Sequence, residues 1–220
     1  MTLTSQKLRV KEINRQLLLM SSLVEKQIYA SMQALKNHDV DSTDEIINDD
    51  NKVDELQKII EDECLKFLAT EQPLASDLRS VFTSSKIVTD LERMADYAVD
   101  ICKITKKIDG ESTRFSDLMA PLWEMEEHVR KMIDLSITSY VDKDAEGAYE
   151  ICRMDDLVDG MYKKLFNDIL DYVKKDDKSV NTVAQLLFVS KYIERIGDHV
   201  TNICEWTIYA INGTYVDLNE

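Results

Sequence analysis

Apolar residues recur every three or four positions along this 220-residue chain. Val88, Leu91, Ala95, Val99 and Cys102 step by three, four, four and three, and Met20, Val24 and Ile28 step by four. That spacing lines one face of an α-helix, whose residues stand about 100° apart, and does not fit the alternation of a strand. Six helices are expected. The first runs from Leu3 to Asn37. Asp39 caps a second, which reaches Ala69. Pro73, a residue suited to a first helical turn, opens a third that reaches Lys107. Ser116 caps a fourth to Val141, with Pro121 near its start. A fifth runs from Asp144 to Lys174. Ser179 caps a sixth, which ends before Gly213. Each is about 25 to 35 residues long, roughly 40 to 50 Å.

The pattern repeats. A shift of 105 lays Met20, Val24, Lys26, Ile28 and Ser31 on Met125, Val129, Lys131, Ile133 and Ser136. It also lays Asp39, Asp50, Val53 and Asp54 on Asp144, Asp155, Val158 and Asp159. For the last helix of each half the shift becomes 102, so Leu91-Glu92-Arg93 matches Ile193-Glu194-Arg195 and Asp96 matches Asp198. A shorter loop between the fifth and sixth helices accounts for the three residues. The fold class expected is all-α: two tandem three-helix bundles related by internal duplication. The first bundle spans 1–107, a polar linker 108–115, and the second bundle 116–220.

Composition agrees. Five Gly and two Pro are too few for the turns of a sheet protein. Forty-two acidic against 27 basic residues give a formal charge of −15. A surface that negative repels phosphate backbones, so no nucleic-acid partner is expected, and it suits divalent cations or basic protein surfaces. No apolar run is long enough to span a membrane, and the N-terminus is not expected to be a signal peptide. Cys64, Cys102, Cys152 and Cys204 form no CxxC pair. They are expected to be buried small hydrophobes in a reducing cytoplasm.

The chemistry lies in carboxylates. Glu92, Asp96 and Asp100 climb the third helix, and Glu194, Asp198 and Asn202 climb the sixth, in four-residue steps that border the apolar face. Shorter versions occupy the preceding helices, Asp50 with Asp54 and Asp155 with Asp159. Acids so placed repel and resist desolvation. Two accounts offset this: metal ions, which in oxygen-rich bundle sites include Mg, Mn and iron, or ion pairs with Arg93 and Arg195. Asn202 stands where its counterpart Asp100 carries a charge, so a second site would be weaker or differently filled.

Three segments carry a resemblance: QPLASDLR (Gln72–Arg79), DLERMADYAVDI (Asp90–Ile101) and YIERIGDHVTNI (Tyr192–Ile203). With the duplicated layout and the length, the whole chain resembles the PhoU family. The resemblance implies a cytoplasmic negative regulator of the phosphate-starvation response, acting between a phosphate ABC transporter and a sensor histidine kinase. It would meet the membrane only through the transporter's ATPase subunit and other partners. It implies metal clusters, of iron, zinc, manganese or magnesium, on Glu92, Asp96, Asp100, Glu194, Asp198, Asn202, Asp50, Asp54, Asp155 and Asp159. A homodimer is expected.

Other motifs carry less. The run Asp142–Gly147 begins like a calcium loop but has Glu146 at the fifth position and Arg153 at the twelfth. The Glu-x-x-His pairs of di-iron enzymes are missing, and no nucleophile motif is present. His199 is expected in a surface or packing role. No catalytic residue is expected, so the chain reads as a regulator and not an enzyme. The alternatives are a metal-dependent carboxylate-cluster enzyme and a metal-free helical adaptor.

Overall fold

Asp39 and Asp144 each close a tight corner, and the two corners match. His38 and Lys143, 105 residues apart, both take left-handed backbone angles, with φ of 51° and 58°. The next amide in each, of Asp39 and Asp144, returns to the carbonyl of Ala34 or Ser139 at 2.9 Å, the hydrogen bond that ends a helix at such a residue. The Asp side chain then accepts from the backbone of the next helix, Ser42 N at 3.2 Å and Gly147 N at 3.0 Å.

The structure, a computed structural model, describes residues 3–108, 115–174 and 180–218, with the side chains of 3–5, 116 and 117 left aside. Its helices are α1 (Leu3–Asn37), α2 (Val40–Thr70), α3 (Ala75–Thr105), α4 (Ser116–Asp142), α5 (Ala145–Val173) and α6 (Val180–Asn212). The fold is all-α, as expected. Pro73 stands two residues before α3, and Leu74 takes the N-cap position. Phe115, not Ser116, holds the N-cap position of α4. Most of the expected linker, the Ser179 cap and the shortened loop lie outside the described residues. No described helix is long and apolar enough to cross a membrane.

Within each half every helix packs on the other two. The inner faces are fully buried: Leu17, Met20, Val24 and Ile28 on α1, Ile87, Val88 and Leu91 on α3, Met125 and Val129 on α4, and Ile193, Ile196 and Val200 on α6. Ser31 and Ser136 are buried counterparts, and each hydroxyl donates to the carbonyl three residues back at 2.8 Å.

The halves meet through α3 against α6 and α1 against α4, and one core runs through both. This seam is reciprocal. Tyr97 stacks on Tyr192 with centroids 5.5 Å apart, and their counterparts, His199 and Asp90, hydrogen-bond at 2.8 Å. On the other side Arg130 lies over the Tyr29 ring at 4.9 Å. The counterparts of that pair, Glu25 and Asp134, also face each other. Contacts that map onto one another under exchange of halves are the signature of a two-fold axis, here an approximate one inside a single chain. Tyr140 adds a tie across the seam, its hydroxyl donating to Ser80 O at 2.6 Å.

Beyond α6 the chain turns at Gly213, with φ 75°, and runs back. Glu205, almost fully buried, accepts from Tyr215 Oη at 2.8 Å and from Leu218 N at 2.6 Å.

Candidate functional site

Helix α2 faces α3 in the first half, and α5 faces α6 in the second, so each short acidic pair meets the neighbouring stripe. In the first half this brings Asp50 and Asp54 toward Glu92 and Asp96. Burial lifts the Asp50 carboxyl above the ordinary carboxylate range; Asp54 and Asp96 add to the rise, while the Gln27 amide, donating at 2.9 Å, holds it back. Burial also lifts Glu92, with Asp96, Asp54 and Asp50 reinforcing it and Arg93 opposing.

The second half repeats the arrangement with Asp155, Asp159, Glu194 and Asp198. Asp155 is pushed up to about 7, first by burial and then by Asp198, Asp159 and Glu194. Its Oδ1 is buried without a hydrogen-bond partner among the described residues. Its Oδ2 accepts only a long bond, 3.4 Å, from Thr201 Oγ1. Gly197 makes this possible: a Cβ there would collide with Asp155 Oδ1, so the missing side chain lets the carboxylate rest against α6. Burial also raises Glu194 and Asp198. Lys191 supplies a counter-charge, 2.6 Å from Glu194 Oε1. Its counterpart in the first half is Thr89.

Eight of the ten sequence-predicted positions therefore gather in two like sets of four. The other two lie elsewhere. Asp100 pairs with Lys103 at 2.8 Å and lies near Tyr192. Asn202 turns to the seam, where its amide donates to Asp90 Oδ1 at 3.3 Å. A four-residue step overshoots a full turn by about 40°, so the third member of each stripe has swung about 80° from the first, away from the partner helix and toward the other half.

The arginines divide. Arg93 lies 3.7 Å from Glu92 and 3.6 Å from Asp96, a loose and exposed ion pair. Arg195 faces Tyr97 across the seam, with Glu194 and Asp198 as weaker influences. Sequence reasoning missed Gln27, Lys191 and the Asp90–His199 pair. Gln27 carried a signal: it is polar where its repeat counterpart is Met132, and both are buried.

The donor sets are all oxygen, which suits hard cations, and the orphaned Asp155 Oδ1 is the kind of atom a cation satisfies. As the side chains stand, no three His, Cys, Asp or Glu among the described residues form a grouping that could hold an ion. The residue types fit a metal. Closing on one would take rotation of carboxylates already in place.

The family model described as the PhoU domain matches this chain twice, over residues 17–105 and 122–207. The chain belongs to the PhoU family. It is 46% identical over 212 residues, 96% of each chain, to a phosphate-specific transport system accessory protein PhoU homolog of Clostridium acetobutylicum. It is 31% identical to the accessory protein PhoU of Escherichia coli, over 93% of this chain and 84% of that one. In structure it is similar to crystallised PhoU from Pseudomonas aeruginosa, with TM-score 0.88 and 29% identity over 94% of this chain and 99% of that one. It is also similar to the phosphate transport system regulatory protein PhoU from Streptococcus pneumoniae, with TM-score 0.87 and 28% identity over 96% and 99%. The two PhoU domain matches fall one in each half, so each three-helix bundle of this chain, with its own four-carboxylate set, corresponds to one PhoU domain.

Proposed function

We propose that this PhoU-family protein is an accessory regulator of phosphate transport that holds down the phosphate-starvation response. It acts in the cytoplasm, between the ATPase subunit of a phosphate ABC transporter and a sensor histidine kinase, by binding and not by catalysis. The observation that carries this reading is the 46% identity, over 96% of both chains, to a phosphate-specific transport system accessory protein homolog.

Asp50, Asp54, Glu92 and Asp96 would hold metal in the first bundle, and Asp155, Asp159, Glu194 and Asp198 in the second. Asp100 and Asn202, turned toward Lys103 and Asp90, stand outside both sets. Iron, zinc, manganese and magnesium are the candidates. Bound metal supplies positive charge that ties α2 to α3 and α5 to α6 and neutralises part of the acidic face shown to partners. Gln27, Lys191 and Arg93 orient or partly neutralise the carboxylates. A metal-free adaptor is the second reading, favoured by the counter-charges that Arg93 and Lys191 already provide.

The test is a clean deletion in phosphate-replete cells. Raised phosphate-regulon expression, restored by the gene in trans, is the expected result; unchanged expression overturns the regulatory reading. Sedimentation of the purified chain reads the expected homodimer.

A further inference from the structure

Helix α1 runs against the charge of the chain. It carries six Lys or Arg against two Glu, while the whole protein stands at −15. Four of the six lie in its first half, and three of these, Lys7, Lys11 and Arg15, follow one another at four-residue spacing on one face. That face borders a groove of about 560 Å³ at the seam between the two bundles. Lys143, at the left-handed corner between α4 and α5, closes the far side. Val10, Leu18 and Val141 make its apolar floor and wall.

Among the lining residues the four cations face a single carboxylate, Asp77. Arg15 is already paired with Glu12 at 2.6 Å, on an exposed surface where such pairs are weak. Lys7, Lys11 and Lys143 make no ion pair among the described residues. Asp142 and Asp144 flank Lys143 in sequence but line a different hollow, between α4 and α5. Asn14 lies in the groove and in the smaller pocket that continues it, and its buried Oδ1 has no donor among the described residues. An unmet acceptor in a cleft asks for an N–H or O–H from outside the chain.

We propose that this groove docks an acidic, apolar-faced helical segment of a partner protein. From Lys7 to Leu18 the lining stretch is about 17 Å long at the usual rise, the length of three helical turns. A visiting helix of that length sets apolar side chains at i, i+3/i+4 and i+7 on Val10, Leu18 and Val141. Its flanking Glu or Asp residues meet the three free lysines, and a hydroxyl or amide donor meets Asn14. The groove lies about 14 to 30 Å along α1 from Gln27, which touches the first carboxylate set. The protein thus offers opposite charge at opposite ends of one helix. The proposal does not rest on metal binding or on the phosphate reading.

The probe is a fluorescein-labelled 16-residue peptide with Leu at helical a/d spacing, Glu and Asp elsewhere and one central Ser, titrated against the full chain by anisotropy. The expected result is saturable binding that weakens as salt rises. Binding should also weaken about tenfold in Lys7→Glu/Lys11→Glu/Lys143→Glu, with circular dichroism and metal content unchanged. If that variant misfolds, Lys7→Gln/Lys11→Gln/Lys143→Gln replaces it, with a smaller loss in the same direction. No binding by the wild type, equal binding by the variant, or equal binding of a composition-matched scramble without an apolar face overturns the proposal. So does self-association of the wild type that the lysine variant abolishes, which would make the occupant a second copy of this chain.

Discussion

The ring of Tyr97 on α3 lies 5.9 Å from that of His199 on α6, and each is the other's counterpart in the repeat. Only residues close to a two-fold axis can touch their own counterparts. The axis therefore passes between α3 and α6, where the stacked Tyr97–Tyr192 pair on one side answers the His199–Asp90 hydrogen bond on the other. Aromatic pairs of this kind contribute about 0.5–1.5 kcal/mol beyond the area they bury. A double-mutant cycle of Tyr97→Ala and His199→Ala, read by urea unfolding, should give a coupling energy in that range. Additivity would show that the two rings are mere neighbours.

Asp155 makes the second half sensitive to pH. An acid lifted to about 7 in the folded state keeps its proton where the unfolded chain has lost it. The unfolded state then binds fewer protons, so stability falls as pH rises from the ordinary carboxylate range to about 7, and stays low above it. Asp155→Asn removes that penalty. With chelator present, the variant should be more stable to urea than the wild type at pH 8, by about 2 kcal/mol after discount for solvent screening, and should show no such gain at pH 4. Equal gains at both pH values would assign the effect to packing.

Two glycines in helices should respond in opposite ways to the same change. Alanine is favoured over glycine inside a helix by about 1 kcal/mol. At Gly160, on α5, an added Cβ meets nothing within 4 Å. Gly160→Ala should therefore raise the melting temperature by about 2–4 °C. At Gly197 the added carbon collides with Asp155. Gly197→Ala should show little or none of that gain and should lower metal content in the second half. Equal stabilisation by both would mean that Asp155 moves aside freely and is not held against α6.

Glu194→Ala with Asp198→Ala removes half of the second set. Elemental analysis of tag-free protein, purified without chelator, should show metal lost from the second bundle while the helical circular dichroism signal stays. Unchanged stoichiometry would remove these residues from the ligand set and favour the adaptor reading.

The six helices were legible because each buries a long face at a steady period. Their ends fell within a few residues of expectation because Asp39 and Asp144 cap where polar side chains usually do. The two sets of carboxylates were legible because the repeat doubled a weak signal. The seam was hidden. Asp90 and His199 lie 109 residues apart, on helices that meet only once the halves are packed, and no local period links them. Asn202 was misplaced for a different reason: one four-residue step keeps Glu194 and Asp198 together, and the second carries the third member off the face. Pro73, expected in the first turn of α3, stands just outside it, because Leu74 holds the N-cap position with extended angles, φ −66° and ψ 160°.

A repeat folded about its own axis is a dimer written as one polypeptide. In two identical subunits a substitution at the axis arrives on both sides together, and must suit both. Joined in one chain, the sides are free to part company. Here they have done so: tyrosine faces histidine across the axis, Gln27 answers Met132, and Lys191 answers Thr89. One linker has thereby let a symmetric scaffold carry two unlike acidic faces, each open to selection for a different neighbour.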